Sequence, residues 1–249
     1  MIQDLHSHTY YSFCGQDSPE AIVEAAIAGG IELFGICDHN NGVAFGRFDA
    51  RQAPEEIVPN VPRPRSFQRY FDHINLIREK YAGKIRVLRG IEVATTEAVR
   101  KIALPEGEDI SFFDYCLIEH LDGEASITRG DLFAFAKRCG TPAVGIAHTD
   151  LFTFFERRGE DPRRCFGRMA EENIFWEMNV SYDSTHGYRQ HEYMLRFFED
   201  PKQQAIVRES GVRLSVGFDG HKVEDYLPGR VADYCRRITE MGIRLAFEE

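Results

Sequence analysis

Short runs of apolar, β-branched residues alternate with stretches whose apolar positions return at helical spacing. The alternation repeats about every 30 residues, the signature of βα units built on a parallel sheet. Seven runs read as strands: 2–6, 31–37, 85–92, 112–119, 143–147, 175–180 and 212–218. The helices between them have readable ends. Ser18, Pro19 and Glu20 supply a cap, a first-turn proline and an acidic first turn, and Gly29 and Gly30 stop that helix. Thr128 opens a second helix that ends at Gly140, and Ser66 opens a longer one. Residues 40–65, rich in Pro, Arg and Gly, read as a long loop of the kind that serves as a lid or binding element.

Composition narrows the picture. A length of 249 residues suits one large α/β domain spanning 1–249, and 43% hydrophobic with 12% aromatic residues is incompatible with disorder. The formal charge of -10 argues against adhesion to nucleic acid or anionic membrane, and it leaves an anionic substrate in need of local positive charge, which bound divalent cations supply. The start, MIQDLHSHT, lacks the pattern of a secretory signal, and no run approaches the roughly 20 apolar residues of a membrane span, so a cytoplasmic protein is expected. Six scattered cysteines without a CxxC pair read as reduced thiols rather than a disulfide scaffold or zinc ribbon.

Nearly every strand run ends in a potential metal ligand: His6 and His8, Asp38 and His39, Glu92, His120, His148, then Asp219 and His221. Only the sixth strand breaks the series. In a barrel of parallel strands these ends share one face, the face where barrel enzymes carry their chemistry. His6 and His8, like Asp219 and His221, are two apart, and alternate residues of an extended segment point the same way. Imidazole suits zinc, iron or manganese, and a carboxylate such as Glu92 or Asp219 can bridge two ions. Asp38 has two readings, a carboxylate orienting a ligand imidazole or a cap for the following turn. The other three histidines, His73, His186 and His191, read as helix-face or loop residues.

These motifs resemble those of the polymerase and histidinol phosphatase (PHP) superfamily along essentially the whole chain. DLHSHT is similar to its opening HxH motif, GICDHN to the second motif, GIE at Gly90–Glu92 to its bridging glutamate, and GFDGH at 217–221 to its closing Asp-x-His. The resemblance implies a distorted (β/α)7 TIM-like barrel with three divalent metal ions (Zn, Mn, Fe or Mg) that hydrolyses phosphate esters through a metal-activated hydroxide. It implies His6, His8, His39, Glu92, His120, His148, Asp219 and His221 as ligands. The chain departs from the family in one place: where members often supply a further His or Asp after HxHT, it has Phe13 and Cys14. Cys14 is either a thiolate ligand, favouring a soft ion such as zinc, or a plain buried thiol.

On this reading Asp38, His39 and Glu92 are the candidate catalytic residues, with Asp38 or a histidine giving the leaving group its proton. Arg47, Arg51, Arg63, Arg65, Arg157, Arg158 and Arg189 are candidates to clamp phosphate. Arg189 is favoured because NVSYDSTHGYR resembles the histidinol-phosphatase branch. The expected substrate is a small phosphomonoester, L-histidinol phosphate first. The alternatives are a nucleotide or oligonucleotide phosphoesterase, a protein-tyrosine phosphatase, and a non-catalytic metal-binding regulator.

Overall fold

A computed structural model describes residues 1–45, 65–96, 103–104, 107–123, 125–128 and 130–248. Seven parallel strands run in sequence order around one sheet: β1 (Gln3–Asp4), β2 (Leu33–His39), β3 (Arg86–Ala94), β4 (Tyr115–Glu119), β5 (Val144–Ile146), β6 (Ile174–Asn179) and β7 (Leu214–Gly217). All seven expected strands are present. Parallel neighbours need crossovers, and among the described residues helices lie in each except that between β3 and β4: α1 (Pro19–Ala28), α2 (Asn40–Phe45), α3 (Ser66–Lys80), α4 (Leu132–Cys139), α5 (Leu151–Arg157), α6 (Pro162–Glu171), α7 (Glu192–Glu199) and α8 (Pro201–Ser210), with α9 (Pro228–Glu240) after β7. This is the expected TIM-like α/β barrel. No described helix is long and apolar enough to cross a membrane.

Local signals account for the helix ends. The Ser18 hydroxyl accepts from the Ala21 amide and Pro19 fills the first turn, as the sequence indicates. The helix expected from Thr128 begins later, at Leu132, because Asp131 takes the capping role and accepts from the Ala134 amide at 2.9 Å. Thr128 instead accepts from the Gly130 amide in the preceding turn. The first residues of the expected 40–65 loop form α2, whereas Arg47, Arg51 and Arg63 fall outside the described residues.

The strands are buried on both faces. Their outward residues, among them Phe34, Ile36, Ile91, Ile118, Trp176 and Val216, pack against the helices. Their inward residues, Leu33, Cys37, Leu88, Tyr115, Leu117 and Phe175, fill the barrel beneath the rim. Tyr115 crosses the interior to donate its hydroxyl hydrogen to the Leu5 carbonyl at 2.6 Å. A Cβ on Gly90 would lie 2.5 Å from that ring, so the glycine of the GIE motif leaves the space Tyr115 occupies.

The barrel closes between its first and last strands. Leu5 N donates to Val216 O (2.9 Å), Asp219 N to His6 O (2.8 Å) and His8 N to Gly220 O (2.8 Å). The Asp4 carboxylate ties the same seam by accepting from the Phe218 amide and the Tyr226 hydroxyl. The seam therefore sets the HxH pair directly beside the Asp-x-His pair.

Candidate metal centre

Each ring of the HxH pair has one nitrogen committed to the protein. His6 Nδ1 lies 2.7 Å from Glu177 Oε1, and because an ionised carboxylate only accepts, that nitrogen carries the hydrogen. His8 Nδ1 lies 3.2 Å from Ser12 Oγ, whose own hydrogen goes to Asp38 Oδ1 at 2.6 Å. The Nε2 lone pairs of both rings therefore point at the same place and stand only 3.1 Å apart. At that distance a proton or a metal cation must lie between the two nitrogens, and in metal-free protein the raised His6 ring supplies the proton. Two donors on one tetrahedral zinc, each about 2.0–2.1 Å from it, stand about 3.4 Å apart.

Glu92 is the hub. Its Oε1 faces His6 Nε2 and His148 Nε2, each at 3.3 Å, and its Oε2 faces His39 Nδ1 at 2.7 Å and His8 Nε2 at 3.5 Å. Each oxygen thus looks at a different pair of imidazoles, the geometry of a carboxylate shared by two ions. Asp219 repeats the arrangement, with Oδ1 3.0 Å from His8 Nε2 and Oδ2 3.1 Å from His186 Nε2. Burial opposes charge on both carboxylates, yet the surrounding imidazoles hold both well below the usual range. Burial likewise opposes charge on His6 and His39, and the facing carboxylates outweigh it and hold both rings well above the usual imidazole value.

Among the described residues, seven buried side-chain polar atoms lack a hydrogen-bond partner, and four of them are here: His39 Nδ1, Glu92 Oε2, Asp183 Oδ2 and His221 Nδ1. His39 Nδ1 and Glu92 Oε2 are close, but their angles do not make a hydrogen bond. Buried orphans of this kind are costly, and these belong to ligand types that a divalent cation satisfies together. Three rim positions also adopt the left-handed backbone: His120 (φ 57°), His148 (φ 28°) and Asp219 (φ 55°). Strain of about 1–3 kcal/mol at each such residue is held in place by the surrounding structure and gathers at functional sites. The donor set fits metal ions.

The remaining expected residues fall as follows. His120 Nε2 is 2.7 Å from Glu119 Oε2, and its ring lies 5.8 Å from that of His148. Cys14 offers its sulfur within 4.8 Å of ligand atoms of His8 and His221. Phe13 stacks on His39 at 5.0 Å. Asp38 faces away from the cavity: its carboxylate accepts from the amides and hydroxyls of Thr9 and Ser12. It orients His8 through Ser12, as the first reading has it, and the turn it holds is Thr9–Ser12 rather than the one that follows Asp38. A carboxylate with four donors is fixed as an acceptor, which removes it as the source of the leaving-group proton. Arg189 is exposed, in the loop that carries His186.

Four residues escaped the sequence reading. Glu119 joins a cluster with His39 and Glu92, and Asp183 and His186 form another with His221. Glu177 anchors His6 and also accepts from the His148 amide at 2.8 Å. It has room because residue 217 is glycine, where a Cβ would lie 2.1 Å from Glu177 Oε1. Its signal was a charge inside the otherwise apolar run of the sixth strand. Glu177→Gln is expected to weaken zinc affinity about 10–100-fold, the usual cost of losing a group that orients a ligand, measured by competition with a chromophoric chelator.

A family model described as the PHP domain matches residues 4–221. The chain belongs to the PHP domain family. That membership places it among metal-dependent phosphoric ester hydrolases. A search of curated proteins finds no match to this PHP domain. Its fold is similar to that of histidinol phosphate phosphatase from Lactococcus lactis subsp. lactis Il1403, solved with zinc, L-histidinol and phosphate: TM-score 0.51, 16% identity, 98% of this chain and 95% of that one. A putative histidinol phosphatase from Listeria monocytogenes aligns at TM-score 0.40 and 14% identity, over 98% and 93% of the two chains.

Proposed function

We propose that this PHP domain is a phosphomonoesterase acting on a small phosphorylated molecule, with L-histidinol phosphate the first substrate to try. The observation that carries the reading is the set of buried, partnerless ligand atoms around Glu92, at the rim where a parallel barrel places its chemistry. His6, His8, Glu92 and Asp219 would hold one ion. Glu92, His120 and His148, with His39 or Glu119, would hold a second, and His221 with Cys14 or other rim donors a third. When bound, such ions bring the pKa of water toward neutrality and neutralise charge on the phosphoryl oxygens. Zinc, manganese, iron and magnesium all suit a set of imidazole and carboxylate donors.

The protein's own part is orientation. Glu177 and the Asp38–Ser12 relay fix the tautomers of His6 and His8, so their Nε2 lone pairs are ready before substrate arrives. Phe13 covers one face of His39. Arg189, on the loop after β6, is the candidate to grip the phosphate from outside. The choice of histidinol phosphate rests on the fold shared with the Lactococcus enzyme, together with the family.

Metal-reconstituted protein should hydrolyse p-nitrophenyl phosphate, and His8→Ala should not. Turnover of L-histidinol phosphate is expected to exceed that of the aryl ester by about 100-fold in kcat/KM, or ~2.7 kcal/mol of added transition-state binding. Equal values for the two esters would remove this substrate while leaving the class. Absence of any esterase activity in fully loaded protein would favour a metal-binding regulator.

A further inference from the structure

We propose that the loop between β6 and α7 supplies its own ligand pair, Asp183 and His186, to the cation held by His221. The third ion would then sit against this loop rather than depend on the Phe13–Cys14 segment. The inference rests on the phosphoesterase reading only in taking the rim to bind divalent cations.

Asp183 is 1% exposed, and its Oδ2 has no hydrogen-bond partner. It faces His221 Nδ1, also buried and also without a hydrogen-bond partner, at 4.0 Å. That gap is too long for a hydrogen bond between them. It is about half an ångström wider than the spacing of two donors on one tetrahedral ion, a difference a small side-chain rotation closes. His186 completes the group, since Asp183, His186 and His221 each offer a ligand atom within 4.8 Å of the other two.

His186 is also prepared as a ligand. Its Nδ1 donates to Asp183 Oδ1 at 2.8 Å, the same arrangement that Glu177 makes with His6. Its Nε2 lies 3.1 Å from Asp219 Oδ2, so in the metal-free protein a proton on that nitrogen joins the two, and a cation that displaces the proton would take the nitrogen as a ligand. The amide of His186 donates to the same Asp183 oxygen, which pins the loop and leaves Oδ2 free. Phe13, by contrast, has no donor atom, and Cys14 belongs to a separate cluster with His8 and His221. His221 is common to both clusters, so the two sets compete for one ion, and Asp183 and His186 bring two donors where Cys14 brings one.

The test is metal content. Full-length protein stripped by chelator, reloaded with zinc and desalted would be assayed by inductively coupled plasma mass spectrometry, alongside Asp183→Asn, His186→Ala, His186→Gln and Cys14→Ala. Both His186 variants and Asp183→Asn should retain one zinc equivalent less than wild type, and Cys14→Ala the full complement. Full occupancy in either His186 variant, or loss of the equivalent only in Cys14→Ala, overturns the proposal and leaves the phosphoesterase reading standing. Wild-type protein that retains no zinc overturns both. His186→Gln, similar in size on a partly exposed loop, decides the matter should the alanine variant fold poorly, which far-UV circular dichroism of the stripped protein reports.

Discussion

Glu92→Gln is expected to lower kcat for phosphomonoester hydrolysis by at least about 10³-fold, equivalent to ~4 kcal/mol of transition-state stabilisation. The amide is nearly isosteric, so packing around the side chain is retained while the charge is removed. Each oxygen of Glu92 faces two imidazole nitrogens, through His6 and His148 on one side and His39 and His8 on the other. A neutral amide has one acceptor oxygen and one NH2 group whose nitrogen has no lone pair to give, so it cannot serve two cations. Steady-state kinetics and bound-metal analysis on the same sample check this. Activity within tenfold of wild type at full metal content would show that Glu92 is not shared between ions.

The second large effect concerns pH and metal together. In chelator-stripped protein His6, His39 and His148 titrate above the usual 6.5: burial opposes their charge, but Glu92, Asp219 and neighbouring carboxylates outweigh it. A histidine whose folded-state pKa is raised adds stability that is complete below its unfolded value and is lost as pH rises through the folded value. The melting temperature of stripped protein should therefore fall between pH 6.5 and 8.5. His191 and His221, held down to about 4 and about 3 mainly by burial, stay neutral in the folded state, so they add only an opposing rise near pH 6.5 that fades as the unfolded rings lose their protons. Asp4, raised to about 6 by burial, has largely finished its change below it. Zinc must displace protons from the raised rings, so its apparent affinity should rise about tenfold per pH unit for each proton released. Loaded protein should accordingly gain stability over the window in which stripped protein loses it. Thermal melts of both forms, with calorimetry in buffers of different ionisation enthalpy, measure the two slopes. Parallel slopes would mean that protons and metal do not compete for these rings.

The strands were legible because each is a short apolar run between turn residues, and the pairs His6/His8 and Asp219/His221 stood out as candidates because spacing by two survives any uncertainty in strand ends. The phase of each strand was not legible. Parallel strands buried on both faces lack the alternation that marks an inner side, so the place of Asp38 beside the candidate ligand His39 stayed open between two readings. Successive residues of a strand face opposite ways, and only His39 turns inward. Glu119 and His120 are also adjacent, and both reach the rim because His120 takes the left-handed backbone. Glu177 was hidden for the same reason of phase. Asp183 and His186 lie in a loop whose conformation is set by its own hydrogen bonds, and no periodicity reports on that.

The seam between the first and last strands has a consequence for biosynthesis. His6 and His8 leave the ribosome more than 200 residues before Asp219 and His221, and the two pairs become neighbours only when Leu5, His6 and His8 find Val216, Asp219 and Gly220. A chain whose two ends have not yet paired therefore lacks the complete set of donors. An ion held by both pairs would join the two distant ends of the ladder and oppose their local opening.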